Sequence, residues 1–166
     1  MINIGILTIS DKGAQGKRPD RSGPVIREMV SRLDSSVVKY EIIPDNLSII
    51  SNTLAEWADD GETDIILTSG GTGLGARDHT PEATLSIVDK VVPGLPEAMR
   101  SETSLLTPFS ILSRAEAGIR GKCLIINLPG SPKAVAECLE VILPVLNHAT
   151  EIIKGFVTEH NRVEDN

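Results

Sequence analysis

Residues 64–84 read DIILTSGGTGLGARDHTPEAT. The opening DIILTS (64–69) is a short apolar run of the kind a buried parallel strand needs. Four glycines follow within six residues, at 70, 71, 73 and 75. Then come Arg77, Asp78 and a helix-start signal: Thr80 as N-cap, Pro81 at the first helical position and Glu82 in the first turn. Strand, glycine turn and helix in that order make one unit of an α/β fold. The turn falls where such folds bind their ligands.

The same alternation continues on either side. INIGILTIS (2–10) is a nearly continuous apolar run, VVKYEIIP (37–44) is β-rich and stops at a proline, and KCLIINLPG (122–130) is the last strong strand. Residues 23–33, 47–59, 81–92 and, less regularly, 95–106 carry apolar side chains at helical spacing. Residues 107–121 read as irregular, with room for a helical turn. Residues 132–155 are helical, with Pro144 kinking or dividing the helix. The expected fold is a single α/β domain over residues 1–156, a mostly parallel central sheet with helices on both faces. A polar, frayed tail at 157–166 is expected to follow.

Composition narrows the function. The 166 residues carry a formal net charge of −7 and no lysine- or arginine-rich run, which argues against a nucleic-acid surface. One Trp, one Tyr and two Phe offer little for stacking bases. No apolar run approaches membrane-spanning length, and the N-terminus enters a strand without a charged leader, so a cytoplasmic protein is expected. Cys123 and Cys138 lack CxxC spacing and a nearby His cluster, and read as buried free thiols.

The glycine stretch is not a Walker A loop. Six residues from Gly70 lead to Gly75, but Ala76 and Arg77 stand where lysine and a hydroxyl residue are required. A dinucleotide fingerprint fits loosely as Gly71-x-Gly73-x-x-Ala76, yet that motif opens a helix directly and here the helix signal comes later. What remains is a turn whose amides form an anion nest, or a tight turn using glycine for positive φ. Two threonines beside a buried strand favour the anion site.

Other strand ends bring chemistry to the same edge. SDKGAQGKRPDRSGP (10–24) offers Lys17, Arg18, Asp20 and Ser22, the last as a cap for the next helix. IPDN (43–46) presents Asp45, and NLPGSPK (127–133) presents Ser131 as N-cap with Pro132 and Lys133. Helix N-termini and glycine turns suit a phosphorylated ligand. Two carboxylates there would repel phosphate without a divalent cation between them, so Asp45 and Asp78 point to Mg²⁺. The alternative for Asp45 is a helix cap. No Ser-His-Asp or Cys-His nucleophile set stands out.

At these residues the sequence resembles the molybdopterin adenylyltransferase family, the Mog/MoaB-like proteins of molybdenum cofactor biosynthesis. The matching stretches are SD (10–11), PDRSGP (19–24), IPD (43–45), GGTGLGARDHTPEAT (70–84), TPFSILSRAEAGIRG (107–121) and NLPGSPKAVAE (127–137). The resemblance implies transfer of AMP from Mg-ATP to the terminal phosphate of molybdopterin, with release of pyrophosphate. It implies a catalytic, magnesium-associated pair at Asp45 and Asp78, and a functional serine at Ser113. It further implies binding residues at Ser10, Asp11, Ser22, Gly70, Gly71, Thr72 and Gly73 and along the turn Leu128, Pro129, Gly130 and Ser131. The implied partners are ATP, molybdopterin, two further copies of the chain in a homotrimer, and the downstream molybdenum-insertion enzyme. The same family includes non-catalytic binders of molybdopterin or its precursors, and its chemistry also serves the tungsten cofactor.

Overall fold

Strand β1 (Ile2–Ile9) lies one place in from the edge of a six-stranded sheet in a computed structural model that describes residues 1–156. The tail expected at 157–166 lies outside the described residues. In chain order the elements are β1, α1 (Asp11–Ala14), α2 (Ser22–Val30), β2 (Ser35–Ile43), α3 (Leu47–Asp59), β3 (Ile65–Ser69) and α4 (Thr80–Leu85). There follow β4 (Lys90–Val91), α5 (Gly94–Thr103), a 3-10 turn (Pro108–Leu112), β5 (Ala117–Arg120), β6 (Cys123–Leu128) and α6 (Pro132–Lys154).

The strand order is β2-β1-β3-β6-β5-β4. The first four run parallel, while β5 is antiparallel to both β6 and β4. Period-two alternation sorts the core into two layers. Ile4, Ile6, Leu67, Leu124 and Ile126 face α2, α5 and α6, packing with Ile26, Met99 and Leu139. Leu7, Ile66 and Ile125 face the opposite side, under Ile50, Leu54 and Trp57 of α3. Both cysteines are free and buried.

Two local expectations change and a third narrows. Residues 81–92 do not form one helix: α4 ends at Leu85, and Lys90–Val91 is an edge strand. The β-branched run from Ile87 to Val92 fits a pleated edge better than a helix, and Asp89 and Val92 donate to the carbonyls of Ile119 and Ala117. Within the irregular stretch 107–121, Ala117–Arg120 is a strand. Gly118 weakens its signal, but a Cβ there would lie 2.7 Å from Val88, so close packing demands glycine. Finally, Pro144 does not divide α6. Both Pro144 and Glu140, whose carbonyl loses its donor, lie on the exposed side, where that carbonyl is open to solvent.

The parallel register gathers strand ends at one edge. Ile9 pairs with Ile43, Thr8 with Ser69, and Ser69 with Leu128. Ser10, Asp45, Gly70 and Pro129 therefore emerge side by side.

Candidate active site

The glycine turn is built on two left-handed residues. Gly70 (φ +102°) has Ile9 O where a Cβ would be, and Gly71 (φ +67°) has the Thr80 hydroxyl there, each at 2.3 Å. No other residue type fits either position. Thr80 was expected as the N-cap, yet it is the first residue of α4 and fully buried. Its Oγ1 donates to Gly70 O at 2.9 Å and its N–H to Gly71 O at 3.1 Å. A buried carbonyl needs a donor more than an exposed helix end does, so the hydroxyl is turned inward. Beyond this anchor, the N–H groups of Gly71, Thr72 and Gly73 have no acceptor among the described residues. They are available to an anion.

Asp78 closes the turn. Its Oδ2 accepts the Gly75 N–H at 2.8 Å, and its own N–H donates to Gly75 O at 3.0 Å. Asp45 sits across from it on the end of β2. It does not cap α3, because the Asn46 side chain takes the Ile49 N–H instead. Asp45 Oδ2 accepts the N–H of Asp11, and Asp11 Oδ1 accepts the N–H of Asp45. Arg77 grips both oxygens of Asp11, at 2.7 and 3.0 Å, and donates to Asp45 O. Burial raises the Asp45 carboxyl above its ordinary value, and the charges of Asp11 and Asp78 push the same way. Asp11 is lowered, chiefly by its hydrogen bond from Arg77.

Two cavities meet at this edge. One, of about 680 Å³, is mostly apolar and is bounded by Leu74, Met99, Phe109 and Leu112, with Asp78 and Ser113 on its wall. The other, of about 350 Å³, is polar, with Ser10, Arg18, Arg21, Ser22 and Asp45 around it. Gly71, Gly130 and Ser131 belong to both. Each aspartate thus lines a different cavity, on either side of a shared wall.

Most of the anticipated residues converge here. Thr72, Gly73 and Pro129 line the apolar cavity, and Gly70 the polar one. Ser131 is the expected N-cap of α6, taking the Ala134 N–H. Ser10 caps α1, with its Oγ accepting from Gly13. Ser113 Oγ accepts the Ala115 N–H. Leu128 is fully buried and lines neither cavity, touching the site only through its carbonyl, which accepts the Gly70 N–H. Asp11 also lines neither cavity and acts as the brace of Asp45. Ser22 was expected to cap α2, but Asp20 does so by accepting the N–H groups of Ser22 and Gly23. The Ser22 hydroxyl donates across to Gly130 O at 2.7 Å.

Asp20 is marked in the sequence only as a loop residue, without its capping role, and Arg114 is not marked at all. Asp20 also accepts the hydroxyls of Thr8 and Tyr40. The PDRSGP spacing, an aspartate two residues ahead of a helix start, carried that signal. Arg114 donates to the backbone of the glycine turn, and nothing in an irregular segment marks it.

A mostly parallel sheet with a glycine turn, two aspartates and adjoining cavities at its strand ends is the arrangement of an α/β protein that binds small molecules. The chain belongs to the family whose model is described as "Probable molybdopterin binding domain", which matches residues 5–148. It is 42% identical over 156 residues to a molybdopterin adenylyltransferase of Helicobacter pylori, covering 93% of this chain and 89% of that protein. Its fold superposes with a TM-score of 0.89 on the molybdopterin biosynthesis enzyme MoaB of Thermus thermophilus, at 50% identity over 93% of this chain and 98% of the other. A tungsten cofactor synthesizing protein MoaB from Pyrococcus furiosus superposes at 0.82, with 37% identity over 93% and 96% of the two chains.

Proposed function

We propose that this chain is a molybdopterin adenylyltransferase, transferring AMP from Mg-ATP to the terminal phosphate of molybdopterin. The observation that carries this reading is the placement of Asp45 and Asp78 in two adjoining cavities with Gly71, Gly130 and Ser131 between them. Two substrates occupying the two cavities would bring their phosphates together at that wall. A phosphate oxygen of molybdopterin attacks the α-phosphorus of ATP, the bond from that phosphorus to the α,β-bridging oxygen breaks, and pyrophosphate leaves with the electron pair. The substrate supplies the nucleophile, so the proposed mechanism calls on no serine, cysteine or histidine of the chain for that step.

The donor set fits a magnesium ion. Asp45 Oδ1 and Asp78 Oδ1 take no hydrogen bond among the described residues, while the other oxygen of each is held by a backbone N–H. Among the described residues no group of three or more His, Cys, Asp or Glu is arranged to hold a metal. Two carboxylates completed by phosphate oxygens and water suit magnesium, which resists full dehydration. When bound, the ion supplies neutralisation of phosphate charge. The protein's own share is placement. The free amides of Gly71 to Gly73 offer fixed dipoles to a phosphoryl oxygen, and the buried Thr80 anchor keeps them aimed. Ser10, Ser22, Ser131 and the rest of the turn complete the binding surface, and Ser113 serves from the apolar wall.

The reading extends to a cytoplasmic homotrimer that passes its product to the downstream molybdenum-insertion enzyme. Exposed Leu105, Leu106, Phe109 and Ile111 offer an apolar surface for association. No helix among the described residues is long and apolar enough to cross a membrane. Mass-spectrometric detection of adenylylated molybdopterin after incubation with Mg-ATP tests the function. Tight pterin binding without that product would make the chain a binding protein instead.

A further inference from the structure

Arg114 follows Ser113 directly, and its side chain reaches the glycine turn. Its backbone N–H donates to Thr72 O at 2.8 Å. Its guanidinium donates through Nε to Gly73 O at 2.7 Å and through NH2 to Asp78 O at 2.8 Å. NH1 pairs with Glu82 in the first turn of α4. That hydrogen bond holds the Glu82 carboxyl below its ordinary value. One residue therefore closes both ends of the 72–78 segment and pins the helix that follows it.

The segment has little else to hold it on this side. Gly73 and Gly75 bring no side chain, and Leu74 is 68% exposed. The residues flanking Arg114 are themselves fixed, because Arg100 donates to Ser113 O at 3.3 Å and to Ala115 O at 2.9 Å. Arg100, Ser113 and Ala115 line the apolar cavity, as do Thr72, Gly73 and Asp78. Arg114 is thus the tie between two walls of one cavity, one of them carrying Asp78.

We infer that Arg114 is a positioning residue that sets Asp78 by clamping the 72–78 segment to the Ser113 wall of the apolar cavity. The catalytic meaning of the clamp rests on the adenylyltransferase reading; the clamp itself does not. It works through the shape of the guanidinium rather than its charge. The planar fork reaches the Gly73 and Asp78 carbonyls and Glu82 in fixed directions, and a lysine ammonium on a flexible stem does not reproduce that spread.

Arg114→Lys and Arg114→Gln, compared with the full wild-type chain, test it. Amide hydrogen exchange without substrates is expected to quicken about tenfold at the hydrogen-bonded amides of Gly75 and Asp78 in both variants, with β1, β3 and β6 unchanged. Mn²⁺ affinity, read by electron paramagnetic resonance, is expected to weaken about tenfold, as for the loss of an outer-shell partner. In turnover, kcat falls by a similar factor while KM for ATP changes little. A lysine variant with wild-type exchange and Mn²⁺ affinity would overturn the inference, since charge alone would then suffice. Faster exchange across the whole sheet would overturn it too, by making Arg114 a general structural residue. If neither variant folds, Glu82→Ala is decisive: exchange at the Gly75 and Asp78 amides should rise about threefold, and no rise contradicts the clamp. A wild-type chain that releases no pyrophosphate would sink the enzyme reading alone, because the exchange readout needs no turnover.

Discussion

Asp11 and Asp45 each accept the other's backbone N–H, at 3.0 and 2.9 Å respectively. The exchange locks the end of β1 to the end of β2 and commits one oxygen of Asp45 to structure. Its other oxygen is left for a ligand. Arg77 offsets the negative charge of Asp11 and so lets three aspartates share one edge.

That crowding has a consequence for stability. The Asp45 carboxyl is raised by burial and by its acidic neighbours, so the folded chain holds its proton more tightly than the unfolded chain. The contribution to stability is therefore fullest below the ordinary aspartate value and is lost as pH rises through the raised one. At neutral pH ionised Asp45 opposes folding. Asp45→Asn should raise Tm at pH 7 by on the order of 2 °C while lowering activity. Calorimetry across the carboxylate range should show the gain shrinking as pH falls; a lower Tm at pH 7 would contradict the account.

Thr80 holds the glycine turn from below. Thr80→Val keeps the shape but leaves Gly70 O without its donor, at a cost of about 1–3 kcal/mol. Denaturant unfolding should register that loss. An unchanged unfolding midpoint would mean that the hydroxyl is not the anchor.

Tyr40 reports on Asp20. Burial, then the hydrogen bond to the Asp20 carboxylate, push the phenol up to about 12. Because the chain has one tyrosine, an ultraviolet titration reads it directly. Asp20→Asn removes the charge and should bring the midpoint down toward the ordinary value of about 10. Equal midpoints in the two proteins would show that Asp20 does not hold the phenol.

The parallel half of the sheet was legible because β1, β3 and β6 are apolar on both faces and end in glycine, proline or serine. Asp45 and Asp78 could be placed at one edge from strand direction alone. The antiparallel edge was hidden because β4 has two residues and β5 four, too few to display a period. The cap at Thr80 misled for a physical reason: a hydroxyl that suits a helix start also suits a buried carbonyl, and only the tertiary fold decides which claims it. The brace on Asp45 and the Arg114 clamp join residues 32 or more apart, beyond the reach of local pattern.

The most direct test of the central claim is pyrophosphate release from Mg-ATP, with and without molybdopterin, in the wild type and in Asp78→Asn. The asparagine keeps an oxygen for the Gly75 N–H, so the turn should hold while the charge is lost. Release should require molybdopterin and fall by on the order of 10²–10³ in the variant. Release that ignores molybdopterin, or a variant as active as the wild type, would contradict that claim.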